Sequence, residues 1–590
     1  MRAFVTMLVG GLMVASLTSC GGGGSTPPPP PPTVSVTPNA ATVTLGGTQQ
    51  FMAVLSTGAI TTATWSVNGV QGGNSTVGTI DSTGKYTGPG SFPSPNTLTV
   101  TANAAAGTAM ANLTVAFPNN NHTAQTTPIQ LGTTGGNSTD LVKGATNVTC
   151  CSGTLGSLVI KGGLPFILSN NHVLFKSDAG SSSDPVQQPG LVDNNCDQGA
   201  PPPPFTTVSN QIQAAPLKPS PCTGTCTGAS PSNVDAAIAQ VIAGTVDPSG
   251  AILDLGAAGS TSIAAAPPSS NPAPPPATVL ATNEGVAKSG RSTGLTCSNL
   301  QAVNASVSVQ YNASCGGAVA FTSTFSNQIV INGANFSASG DSGSLVVTSD
   351  TARPLGLLFA GNATSTTANS IQDVITALGF AFPVGNPDHA VSCAPTATAS
   401  SASTTMGASA AKLSTQENDR VTAVKEKHAN RLLANPEISD VSVGASADSP
   451  EEGALVITVR GATGVPAVID GVRTRVVYAG STAPRASMAD ISRATAVKEV
   501  HASGLMNQPG IQGVGVGVSD DNAAEPAMVI YVISGTQRPQ IPAVMDGLRT
   551  KIVEGDRFRA FGWGKDTKPS CSKKPQSNLS TTAGRLPKLP

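Results

Sequence analysis

Charge is scarce in this 590-residue chain, with 31 basic and 32 acidic residues, 11% in all, and a net charge of −1. A nucleic-acid binder concentrates positive charge, so that class is set aside. Aromatic residues reach only 4%, and there are five histidines. A site built on imidazole therefore has few candidates to choose from. Past the first twenty residues no apolar run has the length of a membrane helix. Glycine (64) and proline (46) are plentiful instead, alongside abundant Thr and Ser. That composition suits an extracellular, β-rich protein, and the length calls for several domains.

Arg2, the apolar stretch 4–17 and the small residues after it have the pattern of an export signal over 1–19. Leu17-Thr18-Ser19-Cys20 resembles a bacterial lipobox, which implies lipidation of Cys20. Acyl chains there would anchor the protein, at about 0.8 kcal/mol per buried methylene. Gly21 rather than an aspartate follows, so the expected location is the outer membrane or cell surface. The alternative is an ordinary secretory signal with an incidental cysteine. Residues 20–32 form a Gly/Pro tether.

Nine further cysteines remain, eight of them within 150–393. Outside the cytoplasm they are expected to pair. Cys222-Thr-Gly-Thr-Cys226 has a spacing compatible with metal, but no cysteine–histidine cluster accompanies it. One local disulfide or two separate bridges is the expectation, and no metal or organic cofactor is called for. The odd count leaves one thiol free or joined to another molecule.

Residues 33–116 alternate short period-two apolar runs with turns, the pattern of a β-sandwich with Trp65 as its core aromatic. The stretch Gly78-Thr-Ile-Asp-Ser-Thr-Gly-Lys-Tyr-Thr-Gly-Pro resembles the end of group 2 bacterial Ig-like domains, which implies a spacer or adhesive unit. An Ala/Ser/Thr linker covers 396–415. Two repeats follow, at 416–480 and 488–562. Ala423-Val-Lys-Glu-Lys-His-Ala matches Ala496-Val-Lys-Glu-Val-His-Ala, and Pro466-Ala-Val-Ile-Asp-Gly matches Pro542-Ala-Val-Met-Asp-Gly. Each reads as a small α+β unit of helix, strand, strand, short helix and strand, and the two are expected to pack as a pseudo-dimer. His428 and His501 recur at equivalent positions beside Lys425/Glu426 and Lys498/Glu499, which mark a solvated helix face with no chemistry assigned to it. The remaining tail, 563–590, is expected to be disordered.

The chemistry lies in 140–395. Serine is a weak nucleophile without a base to take its proton and donors to hold the oxyanion. In Gly340-Asp341-Ser342-Gly343 a tight turn presents Ser342. The N–H groups of Gly340 and Ser342 form the expected oxyanion hole, where each donor is worth about 3–4 kcal/mol. Asp341 belongs to the turn itself. His172, at the end of the apolar run Pro165-Phe-Ile-Leu-Ser, is the candidate base, with His389 its one rival in the segment. Asp235, in Val234-Asp-Ala-Ala-Ile-Ala, is the candidate orienting acid, since a buried carboxylate needs a partner. It could instead cap a short helix.

Ser-Asn-Asn-His-Val-Leu at 169–174 resembles the histidine motif of trypsin-like serine proteases, and Val-Asp-Ala-Ala-Ile-Ala and Gly-Asp-Ser-Gly-Ser are similar to their acid and serine motifs. The order His, Asp, Ser is that of the family. The resemblance implies an all-β, two-barrel fold with the triad between barrels of six strands, and a serine endopeptidase acting on protein or peptide substrates. It also places Phe336 at the base of the specificity pocket and Leu355–Phe359 beside it, with no charge to read. Trypsins insert a free amino terminus beside the serine motif, and no residue of this chain is assigned that role. Two other functions compete with general proteolysis: a non-catalytic surface adhesion protein, and a protease that mainly cuts its own linker. Together these readings give a multidomain chain of Ig-like sandwich, two-barrel domain and duplicated α+β units.

Overall fold

A computed structural model describes residues 32–560, with interruptions at 45, 90–92, 94–96, 117–119, 145–147, 197–204, 223, 258–262, 313, 334–335, 394–412, 462, 481–482 and 538. Residues 1–31, where an export signal and a lipidated Cys20 are expected, most of the linker, the tail and Cys571 lie outside the described residues. The chain is mostly β and divides into two compact units. Among the described residues no helix is long and apolar enough to cross a membrane.

The smaller unit draws chiefly on residues 48–87 and 98–113. Thr64–Val67 pairs antiparallel with Thr97–Ala104, setting Trp65 opposite Ala102. Lys85–Thr87 lies between Thr48–Gln50 and Gly78–Ile80. Period-two alternation buries Phe51, Trp65, Tyr86, Leu98 and Val100 on the inner faces.

In the larger unit, strand pairing closes two rings. The first runs Thr133–Asn137, Gly153–Leu155 continuing as Ser157–Lys161, Leu164–Ser169, Ala237–Gln240, Ile212–Ala214 with Thr206–Ser209, and Val186–Gln188, back to Thr133–Asn137. The second runs Val319–Asn332, Ser365–Ser370, Pro354–Gly361, Leu345–Thr348, Gly285–Gly290 and Gly294–Asn312, which pairs back to Val319–Asn332. Each ring therefore has six strands around an apolar core. All eight cysteines between 150 and 393 pair: Cys150–Cys196, Cys151–Cys315, Cys222–Cys226 and Cys297–Cys393. Cys222–Cys226 is thus a local disulfide.

The two repeats share one topology, a helix (Thr415–Leu433; Met488–Met506) against a sheet with one parallel pair. Where the repeat pattern predicts a short helix, each has a tight hairpin instead, Val468–Ile469 to Val472–Tyr478 and Val544–Met545 to Leu548–Gly555. The cause is the turn dipeptide: Asp470-Gly471 and Asp546-Gly547 all have positive φ, which a helix cannot use. The repeats clasp each other reciprocally. Arg473 donates to Thr550 O and Arg549 to Thr474 O, both at 2.8 Å. Asp448 accepts from Asp520 N–H (2.7 Å) and Asp521 from Ala447 N–H (2.6 Å). Burial beside Asp521 pushes the Asp448 carboxyl up to about 6.

The second repeat also extends the second barrel, because Ile511–Val518 pairs with Gly294–Asn312. A Cβ at Gly515 would lie 3.0 Å from Ala305 Cβ, and one at Gly517 would lie 2.4 Å from Gln301 O. Glycine lets the two strands approach. Lys498, expected on a solvated face, is buried by the same docking and donates to Ser306 Oγ. His428 and His501 each bond the turn aspartate of their own repeat, Asp470 (2.8 Å) and Asp546 (2.7 Å).

Candidate active site

His172 opens a four-residue helical turn, Asn171–Leu174, directly after the strand Leu164–Ser169. Asp235 precedes the neighbouring strand Ala237–Gln240 by two residues. Because a strand follows it, the helix-cap reading of Asp235 falls away. Both side chains are fully buried. Asp235 Oδ2 lies 2.6 Å from His172 Nδ1, and Oδ1 accepts the His172 backbone N–H at 3.1 Å. A carboxylate held by both the backbone and the ring of one histidine fixes that ring's orientation.

Asp235 is itself positioned from several sides. Tyr311 OH donates to Oδ2 at 2.9 Å. The Asp235 N–H donates to Asn369 Oδ1 (3.0 Å), and Asn170 Nδ2 donates to Asp235 O (2.7 Å). Burial first, then the Asp235 charge, raises the Tyr311 hydroxyl well above its ordinary pKa. It remains a neutral donor. The rival His389 faces the carbonyls of Leu255 and Pro387.

Ser342 sits in its turn between Gly340 and Gly343, whose φ values are +99° and +95°. Neither Gly340 N–H nor Ser342 N–H donates to another described residue. The turn is held against the first barrel, with Thr154 N–H donating to Ser342 O at 2.8 Å and Thr154 Oγ1 to Gly340 O at 2.9 Å. A Cβ on Gly153 would lie 2.5 Å from Val173 Cγ2 and 2.9 Å from Ser342 O. One glycine thus separates the residue after His172 from the serine carbonyl. The Ser342 hydroxyl turns to two carbonyl oxygens, Phe359 O (3.4 Å) and Ala560 O (3.3 Å). The histidine and aspartate are in direct contact; the serine turn meets Val173, the residue after the histidine, across Gly153, and its hydroxyl is engaged elsewhere.

This spacing gives a test. Gly153→Ala forces the histidine turn and the serine turn apart, and overpacking of this kind costs about 1–3 kcal/mol. With the cleft opened by the Arg559→Pro change described below, we expect at least a tenfold loss in the labelling rate of Ser342 by a fluorophosphonate, with a thermal midpoint lowered by only a few degrees.

The motifs did not disclose how the serine turn is held. Asp341 accepts from Ser292 N–H (2.8 Å), Thr293 N–H (3.1 Å), Thr293 Oγ1 (2.7 Å) and Ala338 N–H (2.9 Å). Lys288 Nζ lies 3.6 Å from Asp341 Oδ2, both side chains fully buried. A lysine on the strand Gly285–Gly290 thus supplies an ammonium beside the serine motif. Burial holds Lys288 below the usual lysine pKa, with Asp341 opposing. Next to it Arg291 makes a bidentate pair with Asp193 of the first barrel, at 2.6 and 2.7 Å. Phe336, expected at a pocket base, is buried with the Lys288 ammonium 5.9 Å from its ring centroid. Among the described residues no group of three potential metal ligands occurs.

No known family and no curated protein matches the chain. Among solved structures, one described as "A glutamic acid specific serine protease utilizes a novel histidine triad in substrate binding" is similar at 17% identity and a TM-score of 0.27, over 43% of this chain and 100% of that one. At that identity and score the likeness assigns no residue and no substrate here.

Proposed function

We propose that residues 140–395 are a trypsin-like serine endopeptidase. Ser342 attacks the peptide carbonyl, His172 takes and returns the proton, Asp235 holds the imidazole, and the Gly340 and Ser342 amides receive the oxyanion. The observation that carries this reading is the buried His172–Asp235 pair at 2.6 Å, with the Gly-Asp-Ser-Gly turn set across Gly153 from Val173, the residue after the histidine. A buried imidazole with a carboxylate on Nδ1 is a base directed through its other nitrogen. The four disulfides suit an exported protein. Lipidation at Cys20 would tether it to the outer membrane or cell surface, with the Ig-like unit as a spacer and the tail and repeats beyond the catalytic region.

A second reading, self-directed proteolysis, has one observation in its favour. The carbonyl beside Ser342 Oγ belongs to the chain's own Ala560. The linker at 396–415 lies almost wholly outside the described residues.

Labelling of the full chain with a fluorophosphonate probe tests the assignment. In the Arg559→Pro chain described below probe should be found on Ser342, and adding Ser342→Ala or His172→Ala should abolish the labelling. Absence of label from folded wild type, and also from the Arg559→Pro chain, would overturn it.

A further inference from the structure

The catalytic serine is not open to solvent: Ser342 is 2% exposed. The cover comes from the second repeat. After its last strand, Leu548–Gly555, the chain bends at Asp556, whose carbonyl accepts from Asn362 Nδ2 (2.7 Å) and Gln512 Nε2 (2.9 Å). The Phe558 N–H donates to Gln512 Oε1 at 2.9 Å. Phe558, Arg559 and Ala560 then pair with the second barrel in strand fashion, bridging at Arg559. Gln310 N–H donates to Phe558 O (3.0 Å), and Ala560 N–H to Gln310 O (3.2 Å). Arg559 N–H donates to Gly361 O (3.1 Å), and Gly361 N–H to Arg559 O (3.2 Å). The segment runs parallel to Gln310 and antiparallel to Gly361. Gln310 adjoins Tyr311, the donor to Asp235, and Gly361 is two residues past Phe359, whose carbonyl accepts from Ser342.

The side chains alternate as a strand requires. Phe558 is fully buried in the apolar cluster that also holds Tyr311, Phe325 and Phe359, with its ring centroid 5.6 Å from that of Tyr531. Arg559 points to solvent, and Ala560 is 2% exposed against the serine. The first repeat has no such sequence at its corresponding end, where Gly480-Ser-Thr-Ala-Pro stands in place of Asp556-Arg-Phe-Arg-Ala. Among the described residues the insertion is made by the second repeat.

We propose that the groove between Gln310 and Gly361 binds extended peptide by strand addition, with a large apolar side chain at the Phe558 position and a small one at the Ala560 position, and that the chain's own segment Asp556–Ala560 fills it and holds Ser342 latent. The latency rests on the endopeptidase reading; the occupancy of the groove does not. Main-chain pairing gives such a groove its affinity and the alternate side chains its selectivity. Because the ligand is part of the same chain, its effective concentration at the groove is in the millimolar range or above, so an external peptide competes poorly. An activating event must withdraw the segment.

Arg559→Pro tests this in the full chain. Proline removes the N–H that donates to Gly361 O, and its bias of the preceding residue toward extended backbone suits a segment bridged to Gln310 and Gly361. Two readouts are taken on wild type and variant: hydrolysis of an unfolded protein such as casein, and hydrogen exchange at the Gly361 amide. The expected result is hydrolysis at least tenfold faster in the variant, with Gly361 protected in wild type and exchanging in the variant. Equal hydrolysis by the two chains, with Gly361 exchanging in both, overturns the occupancy and leaves the endopeptidase standing. No hydrolysis by either, with Gly361 protected only in wild type, upholds the occupancy and overturns the endopeptidase. No hydrolysis and no difference in exchange removes both.

Discussion

Asp235→Asn is expected to lower turnover by about ten-thousand-fold while leaving the fold intact. The geometry gives the reason. Asparagine can keep its carbonyl at the Oδ1 position, where it still accepts the His172 N–H now 3.1 Å away. Its amide nitrogen then takes the Oδ2 position, facing His172 Nδ1 and the Tyr311 hydroxyl. A donor opposite Nδ1 forces the ring proton onto Nε2, and an imidazole protonated there cannot accept the serine proton. Volume and most of the hydrogen bonds are preserved, so the thermal midpoint should move by only a few degrees. The comparison is made in the Arg559→Pro background, where the cleft is free, with steady-state hydrolysis as the readout. Tyr311→Phe is the control: it removes one donor to the carboxylate without changing the tautomer, and should cost about tenfold. A loss in Asp235→Asn no larger than that of Tyr311→Phe would mean that His172 is not the base.

The parts of this site that were legible in the sequence are those fixed by local chemistry. His172, Asp235 and Ser342 each sit in a short motif whose residues the local turn demands, and the structure puts His172 and Asp235 in contact across adjacent strands. What stayed hidden depends on long-range contact. Lys288 reads as one lysine in an alternating strand until the barrel closes and sets it against Asp341. The burial of Lys498 follows from docking of the second repeat, which no periodicity within its helix reports. One signal was available and unused. The second repeat carries Gly513, Gly515 and Gly517 where the first has Asp440, Ser442 and Gly444. Glycine at alternate positions of a strand marks another backbone close by, here the strand Gly294–Asn312. Read that way, the repeats are unequal: the second is shaped to lie on the barrel, and among the described residues it is its end that meets Ser342.

The buried lysine carries the second large effect. Lys288→Met should destabilise the protein by about 3–5 kcal/mol, the usual consequence of removing one member of a buried ion pair. Asp341 would keep four hydrogen bonds, from Ser292, Thr293 and Ala338, but its charge would stay buried with no cation beside it. The Lys288 ammonium also donates to Thr293 Oγ1 and to Gly294 O, so its loss loosens the same turn that donates to Asp341. Since Asp341 lies between Gly340 and Ser342, movement of its carboxylate displaces both oxyanion donors, and in the Arg559→Pro background Ser342 labelling should fall together with stability. A purely structural role and an electrostatic one separate in the double variant. If the pair is electrostatic, Lys288→Met with Asp341→Asn is destabilised by less than the sum of the two single changes, by 1 kcal/mol or more, a coupling typical of contacting groups. Additive costs in denaturant unfolding would show that Lys288 acts through packing on Phe336 alone.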